Sequence, residues 1–242
     1  MKKFLIGIFF LSLLSLVLFS FRRSVEFKKN HPPAINKETK YYLENETPDS
    51  VLKWLKEGNE LFRQGEFNQH GVDTSLRIKI SAEQHPRAVI LTCADSRVSP
   101  ELIFDKGLGD LFVIRVAGNI VDDAVLGSIE YAVEHLHTSL IVVMGHQYCG
   151  AISAAVSDWR DPEKANINNH IRSLTDKIEQ AVVSINLNEK DLDQKILLSN
   201  VIFSVNSIRE SRPDLYEESK KSHIRVVGSV YDLKTGKVEW LK

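Results

Sequence analysis

An α/β fold, with a mainly parallel central sheet flanked by helices, an N-terminal helix and a C-terminal hairpin, is what the sequence predicts, and three observations predict it. Short apolar runs rich in β-branched residues, at 88–92, 111–116 and 140–144, have the length and composition of fully buried strands. Helix-like stretches fall between and after them, which is the alternation of a parallel sheet with helices on its faces. Finally, two extended runs, Ile224 to Tyr231 and Lys237 to Leu241, flank the turn sequence DLKTG. Gly236 there tolerates positive φ, so the pair reads as a hairpin at the sheet edge.

The elements follow in order. Residues 4–21, FLIGIFFLSLLSLVLFSF, carry no charge and come after Lys2 and Lys3, the layout of a basic n-region before an apolar h-region. The expectation for 1–23 is therefore a membrane-targeting segment, either a cleaved signal peptide or an uncleaved signal anchor. It puts the chain in the periplasm or on the outer face of the cytoplasmic membrane. Residues 24–46 are polar and aperiodic and contain Pro32 and Pro33, so they read as a flexible linker. The globular domain is expected over 47–242.

That domain opens with a helix: Thr47 can cap it, and Pro48 suits its first position. Val51, Leu52, Trp54, Leu55, Leu61 and Phe62 form its apolar stripe, and Gly65 stops it. Ala88 to Thr92 is the first strand and leads straight into CADSR at 93–97. LFVIRV at 111–116 is the second and ends at Ala117-Gly118-Asn119. Asp122 and Asp123 then open a helix carrying Val125, Leu126, Ile129, Val133 and Leu136. LIVVM at 140–144 is the third strand and runs into GHQYCG. Residues 158–169 read as a surface loop, and helices are expected near 170–184 and 191–210, the second ending before Pro213.

With 31 basic against 32 acidic residues and no long basic run, nothing electrostatic calls for a nucleic-acid partner. The substrate is expected to be small. At 43% hydrophobic, the chain supports one good core.

The chemistry gathers at strand ends. Ligand sites of open parallel sheets lie beyond the carboxyl ends of the strands, and both cysteines of the sequence, Cys93 and Cys149, stand at such ends. Thiolate and imidazole together select zinc among the common biological metals. His146 with Cys149 makes a compact chelating pair, and Cys93 supplies a third ligand. Cys93, Asp95 and Arg97 alternate along an extended stretch and can face one crevice. Asp95 can take a fourth zinc position, closing the site, or pair with Arg97 and leave that position to water. The competing reading of the cysteines is a structural disulfide, the usual meaning of an even count in an exported chain. It accounts for neither His146 nor the Asp-x-Arg after Cys93.

The pattern C-x-D-S-R followed by H-x-x-C-G, here CADSR and HQYCG, resembles the zinc signature of the β-class carbonic anhydrases. The likeness extends to EGNELF at 57–62, RVAGN at 115–119, GSIEYAV at 127–133 and VYDLKTG at 230–236. Val116 departs from it, since the family often has Asn there. The resemblance implies reversible hydration of CO2 to bicarbonate and a proton by a zinc-bound hydroxide, with one Zn2+ per subunit on Cys93, His146 and Cys149. It further implies Asp95 and Arg97 as a gating dyad, Gln84 as a substrate-binding amide, and a homodimer or homotetramer as the working unit. Hydrolysis of carbon disulfide or carbonyl sulfide on the same scaffold is one alternative, and a non-catalytic membrane-tethered zinc-binding module is another.

Overall fold

A sheet of five strands in the order β2-β1-β3-β4-β5 organises the computed structural model, which describes residues 46–66, 73–161, 169–183, 185, 192–216 and 223–241. The targeting segment expected at 1–23 and the linker from 24 to 45 lie outside the described residues. No helix among the described residues is long and apolar enough to cross a membrane.

Strands β1 (Ala88–Thr92), β2 (Leu111–Arg115), β3 (Leu140–His146) and β4 (Arg225–Tyr231) pair in parallel, and β5 (Val238–Trp240) returns antiparallel to β4 as the expected hairpin. Alternate strand residues face opposite ways, and the packing follows that period of two. Val89, Leu91, Ile141, Val143, Val226 and Val230 meet one helical layer, while Ala88, Ile90, Leu140, Val142, Met144 and Val227 meet the other. Both faces are covered, which is why the runs read as continuously apolar instead of alternating.

The first layer contains α4 (Asp123–Leu136), α5 (Gly150–Arg160), α6 (Asn169–Val182) and α7 (Leu192–Ser211). The second contains α1 (Pro48–Gln64) and the short α3 (Pro100–Ile103). Thr47 caps α1 with a reciprocal Thr47–Ser50 capping box, and Gly65 ends it at φ 73°. Asp122 caps α4 by accepting from Val125 N–H. Two further short helices, α2 (Thr74–Lys79) and α8 (Pro213–Tyr216), and a 3₁₀ turn over Ala117–Asn119 complete the described elements.

Helix α5 departs from the sequence reading, which named no helix over 150–157. Residues 158–160, read as the start of a loop, belong to α5, because Ile152, Ala155 and Asp158 recur at helical spacing on its buried face. Asp158 is accommodated there by Arg172 of α6, 3.8 Å away.

Asn59 ties α1 to the hairpin. Its Nδ2 donates to Ile103 O at 3.1 Å and Gly236 O at 2.9 Å, and its Oδ1 accepts from Val238 N–H at 2.9 Å. Only glycine fits one residue earlier, since a Cβ on Gly58 would lie 1.7 Å from Phe104 O. Asn59→Leu keeps the branched shape, adds bulk and orphans three backbone groups. It should lower stability by about 3 kcal/mol or more, a Tm drop of roughly 10 °C for a domain of this size. Calorimetry of the two proteins checks this, and an unchanged Tm would refute the tie.

Candidate metal centre

Two strand ends converge on one buried cluster. The hydroxyl of Thr92 donates to Met144 O at 2.7 Å, locking the end of β1 against β3 just before Cys93. Strand β3 ends on His146, the turn at Gln147 and Tyr148 passes through a left-handed Tyr148 at φ 55°, and Cys149 becomes the N-cap residue of α5. The Sγ atoms of Cys93 and Cys149 stand 3.9 Å apart, and with the His146 ring the three donor atoms lie within 4.8 Å of one another. All three residues are buried.

The separation of the sulfurs discriminates between the two readings of the cysteines. A disulfide needs an S–S distance of about 2.05 Å, whereas two metal–sulfur bonds of about 2.3 Å at the tetrahedral angle span about 3.8 Å. Both cysteines are free thiols, at the spacing of a metal's coordination edge.

The histidine carries the second test. Its Nδ1 lies 2.8 Å from Gln147 O. A carbonyl can only accept, so Nδ1 bears the proton and Nε2 presents its lone pair. That Nε2 is buried and has no hydrogen-bond partner among the described residues. A buried, unpaired nitrogen beside two thiols is costly as it stands and is satisfied by a cation. The donor set thus fits a metal ion, and its soft N/S character suits zinc.

The electrostatics agree. The Cys93 and Cys149 sulfurs share one hydrogen bond, and this contact, the largest influence on Cys93, lowers it against the effect of burial with help from His146 and the Gly118 N–H. The same contact pushes Cys149 up, so the pair gives up one proton readily and holds the second. Burial alone would lower His146, but the neighbouring Cys93 outweighs it and the net direction is up.

Asp95 and Arg97 stand beside this cluster as an ion pair. Arg97 supplies three hydrogen bonds to the carboxylate: backbone N–H and Nε to Oδ1, both at 2.9 Å, and Nη2 to Oδ2 at 2.7 Å. The side-chain bonds to Arg97, foremost, hold the carboxyl well below the usual carboxylate range. Asp95 Oδ2 is 3.9 Å from His146 Nε2. Arg97 Nη2 also reaches Tyr148 O at 3.4 Å, joining the two ligand-bearing loops.

Gln84 is exposed and precedes β1, at the end of the strand opposite Cys93. Within one chain it is not brought to the cluster. Arg115, by contrast, was not singled out from the sequence and is close by: its Nε donates to Cys93 O at 3.2 Å and its Nη2 to Asp95 O at 2.7 Å. The signal that could have found it is a lone charge closing the apolar run LFVIR of the neighbouring strand.

Residues 88–238 match the carbonic anhydrase family model. Carbonic anhydrase 2 of Mycobacterium tuberculosis is 45% identical over 141 residues, covering 58% of this chain and 67% of that relative. The carbonic anhydrase of Mycolicibacterium smegmatis is 35% identical over 205 residues, covering 81% and 95% respectively. Among solved structures, a Coccomyxa β-carbonic anhydrase in complex with acetazolamide superposes with a TM-score of 0.60 at 26% identity, covering 80% of this chain and 83% of that one.

Proposed function

Since the chain belongs to the β-class carbonic anhydrase family, its reaction is the reversible hydration of CO2 to bicarbonate and a proton, and we propose that zinc is the ion held by Cys93, His146 and Cys149. The observation that carries this is the buried, unpaired Nε2 of His146 facing two free thiols. Zinc bound there supplies a Lewis acid that lowers the pKa of a water from 15.7 to about 7, making a hydroxide nucleophile available at neutral pH.

The chain's own residues do the rest. Cys93 and Cys149 neutralise the ion's charge as thiolates, and His146 is fixed in the ligating tautomer by Gln147 O. Asp95, with both oxygens engaged by Arg97, is kept from competing as a ligand. Its Oδ2, 3.9 Å from His146 Nε2, would be close enough to accept a hydrogen bond from a hydroxide held at the cluster and so orient it.

Gln84 has the amide to steady a bicarbonate oxygen. Strand β1, five residues long, interposes about 16 Å between it and Cys93, so that role belongs to the site of a second copy and requires a homodimer or larger assembly. Export by residues 4–21, to the periplasm or the outer face of the cytoplasmic membrane, completes the reading.

Stopped-flow CO2 hydration, with zinc content measured on the same sample, tests the core of it. One zinc per chain with fast hydration is expected. A protein devoid of zinc, or loaded with zinc and unable to hydrate CO2, overturns it.

A further inference from the structure

The sulfur of Cys93 accepts a hydrogen bond from Gly118 N–H at 3.3 Å. That donor is part of a turn, Ala117–Asn119, whose shape is unusual and is held from elsewhere. Gly118 lies at φ 73°, a backbone conformation that favours glycine, and a Cβ there would sit 2.7 Å from Ile178 Cδ1 and push that side chain aside. Asn119 also has positive φ, at 46°. A non-glycine residue in that region is ordinarily helped by its own side chain bonding to nearby backbone. Here both polar atoms of the Asn119 side chain are buried without a hydrogen-bond partner among the described residues. The conformation is secured by other groups.

Two of those groups come from α7. Asn200 Nδ2 donates to Gly118 O at 2.9 Å, and Ser204 Oγ donates to Asn119 O at 3.1 Å. They stand one helical turn apart on the same face, and both are buried, at 1% and 2% exposure. Asn119 N–H closes the turn onto Val116 O at 2.9 Å.

We propose that Asn200 and Ser204 are positioning residues of the metal centre: by gripping the Gly118 and Asn119 carbonyls they aim the Gly118 N–H at Cys93 Sγ, and so set how strongly that sulfur donates to the ion. This rests on Cys93 being a metal ligand. A hydrogen bond to a thiolate withdraws electron density from it, and groups that orient or tune ligands in this way typically govern metal affinity by 10–100-fold. Two polar side chains serving only to satisfy buried carbonyls would have no such influence.

Cobalt(II) loaded into the full chain reads sulfur donation directly, through the energy of its sulfur-to-metal charge-transfer absorption, and competition with a chelator gives the zinc Kd. In Asn200→Ala and Ser204→Ala the band should move to lower energy, because the sulfur regains electron density, and the zinc Kd should rise about tenfold, because the turn no longer holds the sulfur in place. Ser204→Thr, which keeps the hydroxyl, should restore both. Ile208→Ala, a buried change farther along α7, should lower Tm and leave the band in place. If Asn200→Ala does not fold, the Ser204 pair decides. Bands and Kd values unmoved in the alanine variants, with only Tm lowered, overturn this inference alone. A wild-type chain that takes up neither cobalt nor zinc overturns the metal-centre reading, and this one with it.

Discussion

Cys149→Ser should lower kcat/KM for CO2 hydration by about a thousandfold or more, close to 4 kcal/mol of transition-state stabilisation, and should leave the chain with little zinc. The chemistry of the substitution is the reason. A serine hydroxyl is a far poorer anion than a thiol, so one of the three donors is lost while the cluster stays buried. The fold itself has no cause to fail. Cys149 is the N-cap residue of α5 and makes no side-chain capping bond, whereas serine is among the preferred residues there. Far-UV circular dichroism should therefore be unchanged while zinc and rate fall together. A variant that holds wild-type zinc and hydrates CO2 at the wild-type rate would remove Cys149 from the centre.

Arg97→Ala should separate metal binding from turnover, keeping zinc and cutting hydration by about a hundredfold. Of the three bonds that hold Asp95, the two from the guanidinium disappear and only the backbone N–H remains. With Oδ2 only 3.9 Å from His146 Nε2, the released carboxylate is within a small rotation of the position that the nucleophile needs. Its pKa returns toward the ordinary carboxylate value, yet at neutral pH it stays ionised, so the fault is positional and persists there. Arg97→Lys should rescue little, since a single ammonium cannot engage both oxygens of the carboxylate in fork geometry. The decisive comparison is a cycle with Asp95→Ala, which should also keep zinc and lose rate. If Arg97 acts through Asp95, the double variant is no slower than the slower single one. Strictly multiplicative losses would show that Arg97 acts on its own.

The legible part of this molecule is the part written in local pattern. The β-branched run at 88–92 and the start of α1 at Thr47-Pro48 are local signals, and each lies in the structure where the sequence places it. The ligand cluster was legible because strand ends concentrate ligands in a parallel sheet, so Cys93 and Cys149 could be brought together without knowing the tertiary packing. Helix α5 was less so: Gly150-Ala151-Ile152-Ser153 gives a weak apolar stripe, and Asp158 looked solvent-bound because its partner, Arg172, lies on another helix. Asn59, Arg115 and Asn200 were assigned no contact from the sequence for a related reason. Each is a polar residue whose meaning resides in a backbone carbonyl distant in sequence, as with Asn200 and Gly118, and no periodicity marks such a pairing.

The position of β4 beside β3 has a consequence for the order in which the enzyme is made. All three donors have been synthesised once Cys149 is added, but His146 lies in register with Tyr231, and Gln147 N–H bonds to Tyr231 O at 3.2 Å. The loop carrying two ligands is thus completed by a strand translated long after them, and the grip on the Gly118 turn comes from α7, also downstream. A nascent chain halted at Cys149 has the thiols without the framework that spaces them. On the proposed zinc reading, a site competent to hold the ion is complete only after β4 and α7 have been made and packed, so metal binding follows the synthesis of its ligands.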